Sequence, residues 1–156
     1  MRLWLLRHGQ AGPYVRTCDH LRELTERGRR EALHAAGHLL GEALDAILVS
    51  PYVRARQTAE LVHEALGRVP ALYTVDGMTP DDDPRQALQQ LAERREHNLL
   101  VVTHQPLVGA LAGLLVHGSL QEALPFNTAS LALLEGEMAL AGLMELRALH
   151  HPPSHC

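Results

Sequence analysis

Short, unbroken apolar runs alternate along this chain with longer stretches in which apolar residues recur every three or four positions. The clearest runs are Leu3-Trp4-Leu5-Leu6, Ala46-Ile47-Leu48-Val49 and Leu99-Leu100-Val101-Val102, with Ala71-Leu72-Tyr73-Thr74-Val75 as a more mixed one. A run without polar interruption suits a strand covered on both faces, as in a parallel sheet flanked by helices. The intervening stretches predict helices. Thr25 stands as an N-cap with Glu26 in the first turn, followed by an apolar stripe of Leu33, Ala36, Gly37, Leu40 and Leu44. Ser50-Pro51 opens a second helix with Ala55, Ala59, Val62 and Leu66 inward, closed by Gly67 and Pro70. A third is expected from Pro84 to about Arg95 with Leu88, Leu91 and Ala92 inward, and a fourth after Pro106 on Leu107, Leu111, Leu114 and Leu115. Ala129 to Leu134 and Met138 to Leu146, flanking Glu135-Gly136-Glu137, have the pattern of a strand hairpin. The order predicts an α/β fold: a three-layer α/β/α sandwich with a mostly parallel central sheet, helices on both faces and a C-terminal strand hairpin.

Length and composition narrow this picture. The 156 residues suit one domain, expected over 1–149, with a mobile tail over 150–156 that carries two prolines and three histidines. The formal net charge of −4, with no basic run, argues against nucleic acid as a partner. No apolar run reaches membrane-spanning length, and the short run after Arg2 lacks the architecture of a signal peptide, so no membrane association and a cytoplasmic location are expected. Cys18 and Cys156 have no metal-type spacing, and a disulfide between them is not expected.

The candidate chemistry gathers at strand ends. The first strand ends in Arg7-His8-Gly9, the second in Ser50-Pro51 with Arg54 close behind, and the fourth in Thr103-His104. In an open parallel sheet, ligands bind beyond the carboxyl ends of the strands. Parallel neighbours would bring Arg7, His8, Arg54 and His104 together there, and two arginines with two histidines suit a phosphoryl group. Helices starting near Pro51 and Pro106 would aim free N–H groups at the same anion. Gly9, lacking a side chain, would let a ligand approach the backbone.

Four stretches then carry a resemblance. Leu6-Arg7-His8-Gly9, Leu24-Thr25-Glu26-Arg27-Gly28 continuing to Glu31-Ala32, Ser50-Pro51-Tyr52-Val53-Arg54-Ala55-Arg56-Gln57-Thr58-Ala59 and Val101-Val102-Thr103-His104-Gln105-Pro106-Leu107-Val108-Gly109 resemble the motifs of the histidine phosphatase superfamily. They cover most of the chain in the family's order, and the length resembles its small SixA-type branch, whose activity is on phosphohistidine in proteins. The resemblance implies a phosphoglycerate mutase-like fold, His8 as a nucleophile that becomes transiently phosphorylated, and Arg7, Arg54 and His104 as ligands of the phosphoryl oxygens. It places Arg22 at the pocket rim, although Glu23 stands where a proline is common, and it adds Gly9 and Gln105 as substrate-binding candidates. It implies no cofactor and no metal.

A general acid is the open position. Larger relatives use a glutamate after the third strand, where this chain has Asp81, Asp82 and Asp83. One of these could protonate a leaving alkoxide, or they form a solvated turn before a helix. The imidazole leaving group of a phosphohistidine needs less help than an alkoxide, so the missing glutamate favours a P–N substrate. The expected partner is a phosphohistidine-bearing signalling or phosphocarrier domain. The alternatives are a small phosphorylated metabolite as substrate, or a phosphate-binding module without turnover. His34 and His38, four apart on a helix, are two ligands short of a zinc site, and His150, His151 and His155 suit adventitious metal only.

Overall fold

A computed structural model describes residues 1–13 and 18–154; part of the loop between Gly9 and Arg22, with His155 and Cys156, lies outside the described residues. The elements are β1 (Arg2–Arg7), a single 3-10 turn (Asp19–Leu21), α1 (Glu26–Gly37), β2 (Ala46–Val49), α2 (Val53–Ala65), β3 (Ala71–Thr74), α3 (Pro84–Ala92), β4 (Asn98–Thr103), α4 (Leu107–His117), β5 (Leu131–Glu135) and β6 (Glu145–His150). One six-stranded sheet has the order β3-β2-β4-β1-β5-β6. β3, β2, β4 and β1 run parallel, and β5 and β6 complete the sheet in antiparallel fashion.

The unbroken apolar runs serve two faces at once, because successive strand side chains point in opposite directions. Leu3 and Leu5 join Leu48, Leu99 and Val101 under α3 and α4, meeting Leu91, Leu107 and Leu111. Trp4 and Leu6 join Ile47, Val49, Leu100 and Val102 under α1 and α2, meeting Ala35, Ala36, Ala55 and Ala59. Each leucine so buried stabilises the fold by about 1.5–3 kcal/mol. The three-layer arrangement results from this division, and it leaves the carboxyl ends of β1, β2 and β4 side by side. Among the described residues, no helix is long and apolar enough to cross a membrane.

Four local expectations are corrected. In α1, Leu33 and Gly37 face solvent, as does Leu40 just beyond its end, and the helix packs through Gly28, Glu31, Ala32, Ala35 and Ala36 instead. The small residues let α1 close on its neighbours, which bulky leucines would hold off. α3 ends at Ala92, which is exposed, and its buried positions are Ala87 and Leu91, with Leu88 half-buried. The second strand of the hairpin starts at Glu145, not Met138, because the intervening chain folds over the core: Ala139 and Met144 are buried, and the N–H groups of Gly142 and Met144 bond the carbonyls of Leu114 and Leu115 in α4. Finally, β6 runs to His150, past the expected boundary at 149, and two contacts lie beyond it: His151 Nδ1 stands 2.5 Å from the Ser130 hydroxyl and Arg27 donates to the Ser154 carbonyl.

One backbone contact sets the geometry of the site. A Cβ on Gly9 would stand 2.3 Å from the carbonyl oxygen of Gly28, and one on Gly28 would stand 2.0 Å from that of Gln10. The loop after β1 and the first turn of α1 therefore touch main chain to main chain. This corrects the expected role of Gly9: the space beside its Cα is filled by α1, not kept for a ligand. The same loop is tied to α2, since Gly9 N–H donates to Thr58 Oγ1, which donates to the Arg54 carbonyl.

Candidate active site

A cleft of about 400 Å³ opens beyond the ends of β1, β2 and β4, lined by Arg7, His8, Gln10, Ala11, Asp19, Arg22, Arg54, Pro80, Gln105 and Thr128. His8 comes directly after β1, with its backbone pinned on both sides by Thr103 and Ala129. Its side chain is 7% exposed. Nδ1 lies 2.7 Å from the Gly9 carbonyl oxygen, which can only accept, so Nδ1 carries the proton and Nε2 is left with its lone pair. Nε2 accepts from Arg54 Nε at 3.3 Å. Burial pushes the His8 pKa down to about 4; the Gly9 bond opposes this, and Arg54, Arg7 and Arg22 reinforce it. The ring is neutral at physiological pH, and burial contributes more to that than the arginines do.

Arg54, in the first turn of α2, is 5% exposed and lies over the Tyr52 ring at 4.9 Å. Besides its contact with His8 it donates to the Asp19 carbonyl at 2.7 Å and to Asp19 Oδ2 at 3.2 Å. Arg7 donates to the Phe126 carbonyl at 2.8 Å, and its buried Nε has no partner among the described residues. Arg7 lines the cleft, so this unpartnered guanidinium N–H is donor capacity left unspent beside it. Arg22 reaches the rim but is occupied: Nε and Nη2 donate to the Gly12 carbonyl and Nη1 to Asp19 Oδ1.

His104 stands at the end of β4, fully buried, with its ring edge-on to His8 at 5.0 Å between centroids. It lies beside His8 without forming part of the cleft wall. Burial, with His8 and Arg54 adding to it and Asp19 opposing, pushes its pKa down to about 2. Nε2 lies 2.7 Å from Ser50 Oγ, and Nδ1 is buried without a partner among the described residues. Gln105 lines the cleft while its Oε1 accepts from Gly109 N–H at the start of α4.

The three aspartates form a turn and cap. Asp82 accepts from the N–H and hydroxyl of Thr79, Asp83 caps α3 by accepting from Arg85 N–H, and Asp81 is exposed. None of them lines the cleft. The carboxylate that does line it is Asp19, which is absent from the candidates that the sequence suggests. Its pairing with Arg22 three residues on was a signal available in the sequence; its pairing with Arg54 arises only in the fold. Glu31 is the other missed acid: 3% exposed, it accepts from Gln10 N–H and the Thr128 hydroxyl and so holds two cleft residues from behind. At the end of the edge strand β6 His38 stacks on His150 at 3.9 Å with His34 edge-on to His38 at 5.2 Å, and among the described residues no cluster of three His, Cys, Asp or Glu is arranged to hold a metal.

Comparison with known proteins agrees with this geometry. Residues 3–77 match the family model described as histidine phosphatase superfamily (branch 1). Over 123 residues, 76% of each chain, the sequence is 33% identical to the phosphohistidine phosphatase SixA of Escherichia coli strain K12. It is 30% identical to the SixA homolog of Haemophilus influenzae, over 71% of this chain and 74% of that one. The structure of the protein histidine phosphatase SixA complexed with tungstate superposes with a TM-score of 0.84 at 29% identity, covering 97% of both chains. On fold, cleft and sequence together, this chain belongs to the histidine phosphatase superfamily, in its SixA-type branch.

Proposed function

We propose that this protein is a phosphatase that removes the phosphoryl group from phosphohistidine on a partner protein, through a phosphorylated intermediate on His8. The observation that carries this reading is the state of His8: neutral, with its proton held on Nδ1 by Gly9 and its Nε2 lone pair turned to Arg54. The likeness to a SixA that holds tungstate, a tetrahedral oxyanion, supports a phosphoryl site in this cleft.

In the first step the Nε2 lone pair attacks phosphorus, the bond from phosphorus to the substrate's ring nitrogen breaks, and its electron pair leaves with that nitrogen, which takes a proton from water. In the second, water attacks the phosphoryl group on His8, the electron pair returns to Nε2, and the proton leaves with phosphate. Two displacements replace one difficult step. Arg7, through its free Nε, and Arg54 hold the equatorial oxygens, which carry the charge in such a transition state. His104 supplies a further donor once the phosphoryl group is seated beside it. Arg22 shapes the rim through Asp19.

The leaving group is argued from Asp19. Burial works to raise its pKa, but Arg22 and Arg54 outweigh this and hold the carboxyl below its ordinary value. A carboxylate kept ionised is a poor proton donor, and the acids at 81–83 stand away from the cleft. An imidazole leaves without strong acid assistance, whereas an alkoxide does not. The site therefore favours a P–N bond over a phosphomonoester.

Matched phosphohistidine and phosphoserine peptides, incubated without added metal and monitored by phosphate release, test this. Preferential release from phosphohistidine supports the reading. Preference for phosphoserine overturns it in favour of a phosphomonoesterase, with Asp19 then the first residue to test as its acid.

A further inference from the structure

Ser50 comes directly after β2 and is fully buried, as is His104 at the end of the neighbouring strand β4. Its own N–H bonds the Val102 carbonyl, so its position is fixed by the sheet. Its oxygen has two neighbours at hydrogen-bond distance: the Tyr52 N–H at 3.3 Å and His104 Nε2 at 2.7 Å. A backbone N–H can only donate, so Ser50 accepts there. Among the described residues the hydroxyl hydrogen then has one acceptor within reach, His104 Nε2, provided that nitrogen is bare. If Nε2 carried the proton instead, the buried hydroxyl hydrogen would have no acceptor among the described residues, and Nδ1, which has no partner among them, would be left as a bare acceptor on the ring that stands edge-on to His8. The first arrangement leaves one orphan, a donor that a phosphoryl oxygen satisfies. The second leaves two, one of them repelling the anion.

We infer that Ser50 is a positioning residue that locks His104 in the tautomer protonated on Nδ1, so that a neutral imidazole presents its donor to the phosphoryl group. The role in turnover rests on the phosphoryl-transfer reading of the cleft; the tautomer does not. The two histidines are held for different ends: Gly9 holds His8 with Nε2 free to attack, while Ser50 holds His104 with Nδ1–H ready to donate. The two adjacent rings carry their protons on the same atom but serve through opposite nitrogens.

Two-bond 15N–1H correlation spectra of the histidine-labelled protein report which ring nitrogen is protonated, with His104→Gln identifying the signals. The free wild-type protein is expected to show His104 protonated on Nδ1 with Nε2 bare, and the Nδ1 proton is expected to shift on adding inorganic phosphate. In Ser50→Ala the pattern is expected to move towards the Nε2-protonated form, with kcat/KM on a phosphohistidine peptide falling about tenfold, and Ser50→Cys, which keeps a weak donor, should recover part of both. A wild-type His104 protonated on Nε2 overturns the assignment. So does a folded Ser50→Ala whose ring pattern is unchanged. The wild-type spectrum decides the question even if the alanine variant does not fold, and it needs no turnover, so a failed phosphatase reading and a failed tautomer assignment are told apart.

Discussion

The two ends of the central sheet carry similar charges and use them differently. At the amino end of β1, Arg2 pairs with Glu42 at 2.8 Å and Glu135 at 3.4 Å, and Arg147 pairs with Glu135 at 3.4 Å and Glu145 at 3.1 Å. These arginines are more than a third exposed, and they border a hollow of about 460 Å³, larger than the cleft. At the carboxyl end, Arg7 and Arg54 are tied mainly to backbone carbonyls and a single carboxylate, Asp19, and Arg7 keeps a buried donor free. Cavity size alone would select the wrong end. What distinguishes the site is donor capacity that the protein leaves unspent where water is scarce.

The strongest way to test this contrast is to remove the nucleophile. His8→Ala should abolish phosphate release, by more than about 10⁴-fold, and no phosphorylated protein should be trapped, while circular dichroism stays native. Near-normal turnover would sink the mechanism. Arg54→Ala comes next, with about a 10³-fold loss in kcat/KM, because it removes phosphoryl ligands and frees Asp19.

Acid titration probes the cost of keeping the rings neutral. The unfolded histidine titrates near 6.5 and native His8 near 4. Between those values the unfolded chain binds a proton that native His8 refuses, so stability is complete above about pH 6.5 and falls as pH drops towards 4, by on the order of 3 kcal/mol. His104 adds to the slope over the same interval and carries the loss on towards pH 2. Urea unfolding at stepped pH should show this slope, and a His8→Gln variant should flatten its upper part; a flat wild-type profile contradicts the burial argument.

Two smaller effects are expected at the rim and at the opposite end of the sheet. Asp19→Asn removes the anion that competes for Arg22 and Arg54, so inorganic phosphate should inhibit about three- to tenfold more tightly. At the other end, Glu135→Gln should change stability by less than about 1 kcal/mol and leave turnover unchanged, since exposed pairs contribute little.

Much of this was legible in the sequence. The unbroken runs announced strands buried on both faces, and the residues at their ends announced the cleft, because parallel strands deliver the residues at their carboxyl ends to a common edge. The face of α1 was misjudged because Leu33 and Leu40 dominate a hydrophobic periodicity, whereas a helix laid closely on a sheet selects Ala32, Ala35 and Ala36 for size. The connection before β6 was misjudged because Met138 to Met144 continues an apolar pattern that in the fold covers a core. Asp19 was missed for a different reason: its partner Arg54 is 35 residues away, and no local pattern encodes that meeting.

The main-chain contact between Gly9 and Gly28 also bears on how this enzyme can change over time. In a library of all single substitutions scored for function, positions 9 and 28 should stand empty, although neither carries a reactive group. Intolerance would thus outline a seam between a loop and a helix as sharply as it outlines the cleft. New specificity would have to enter away from this seam, through rim positions such as Gln105.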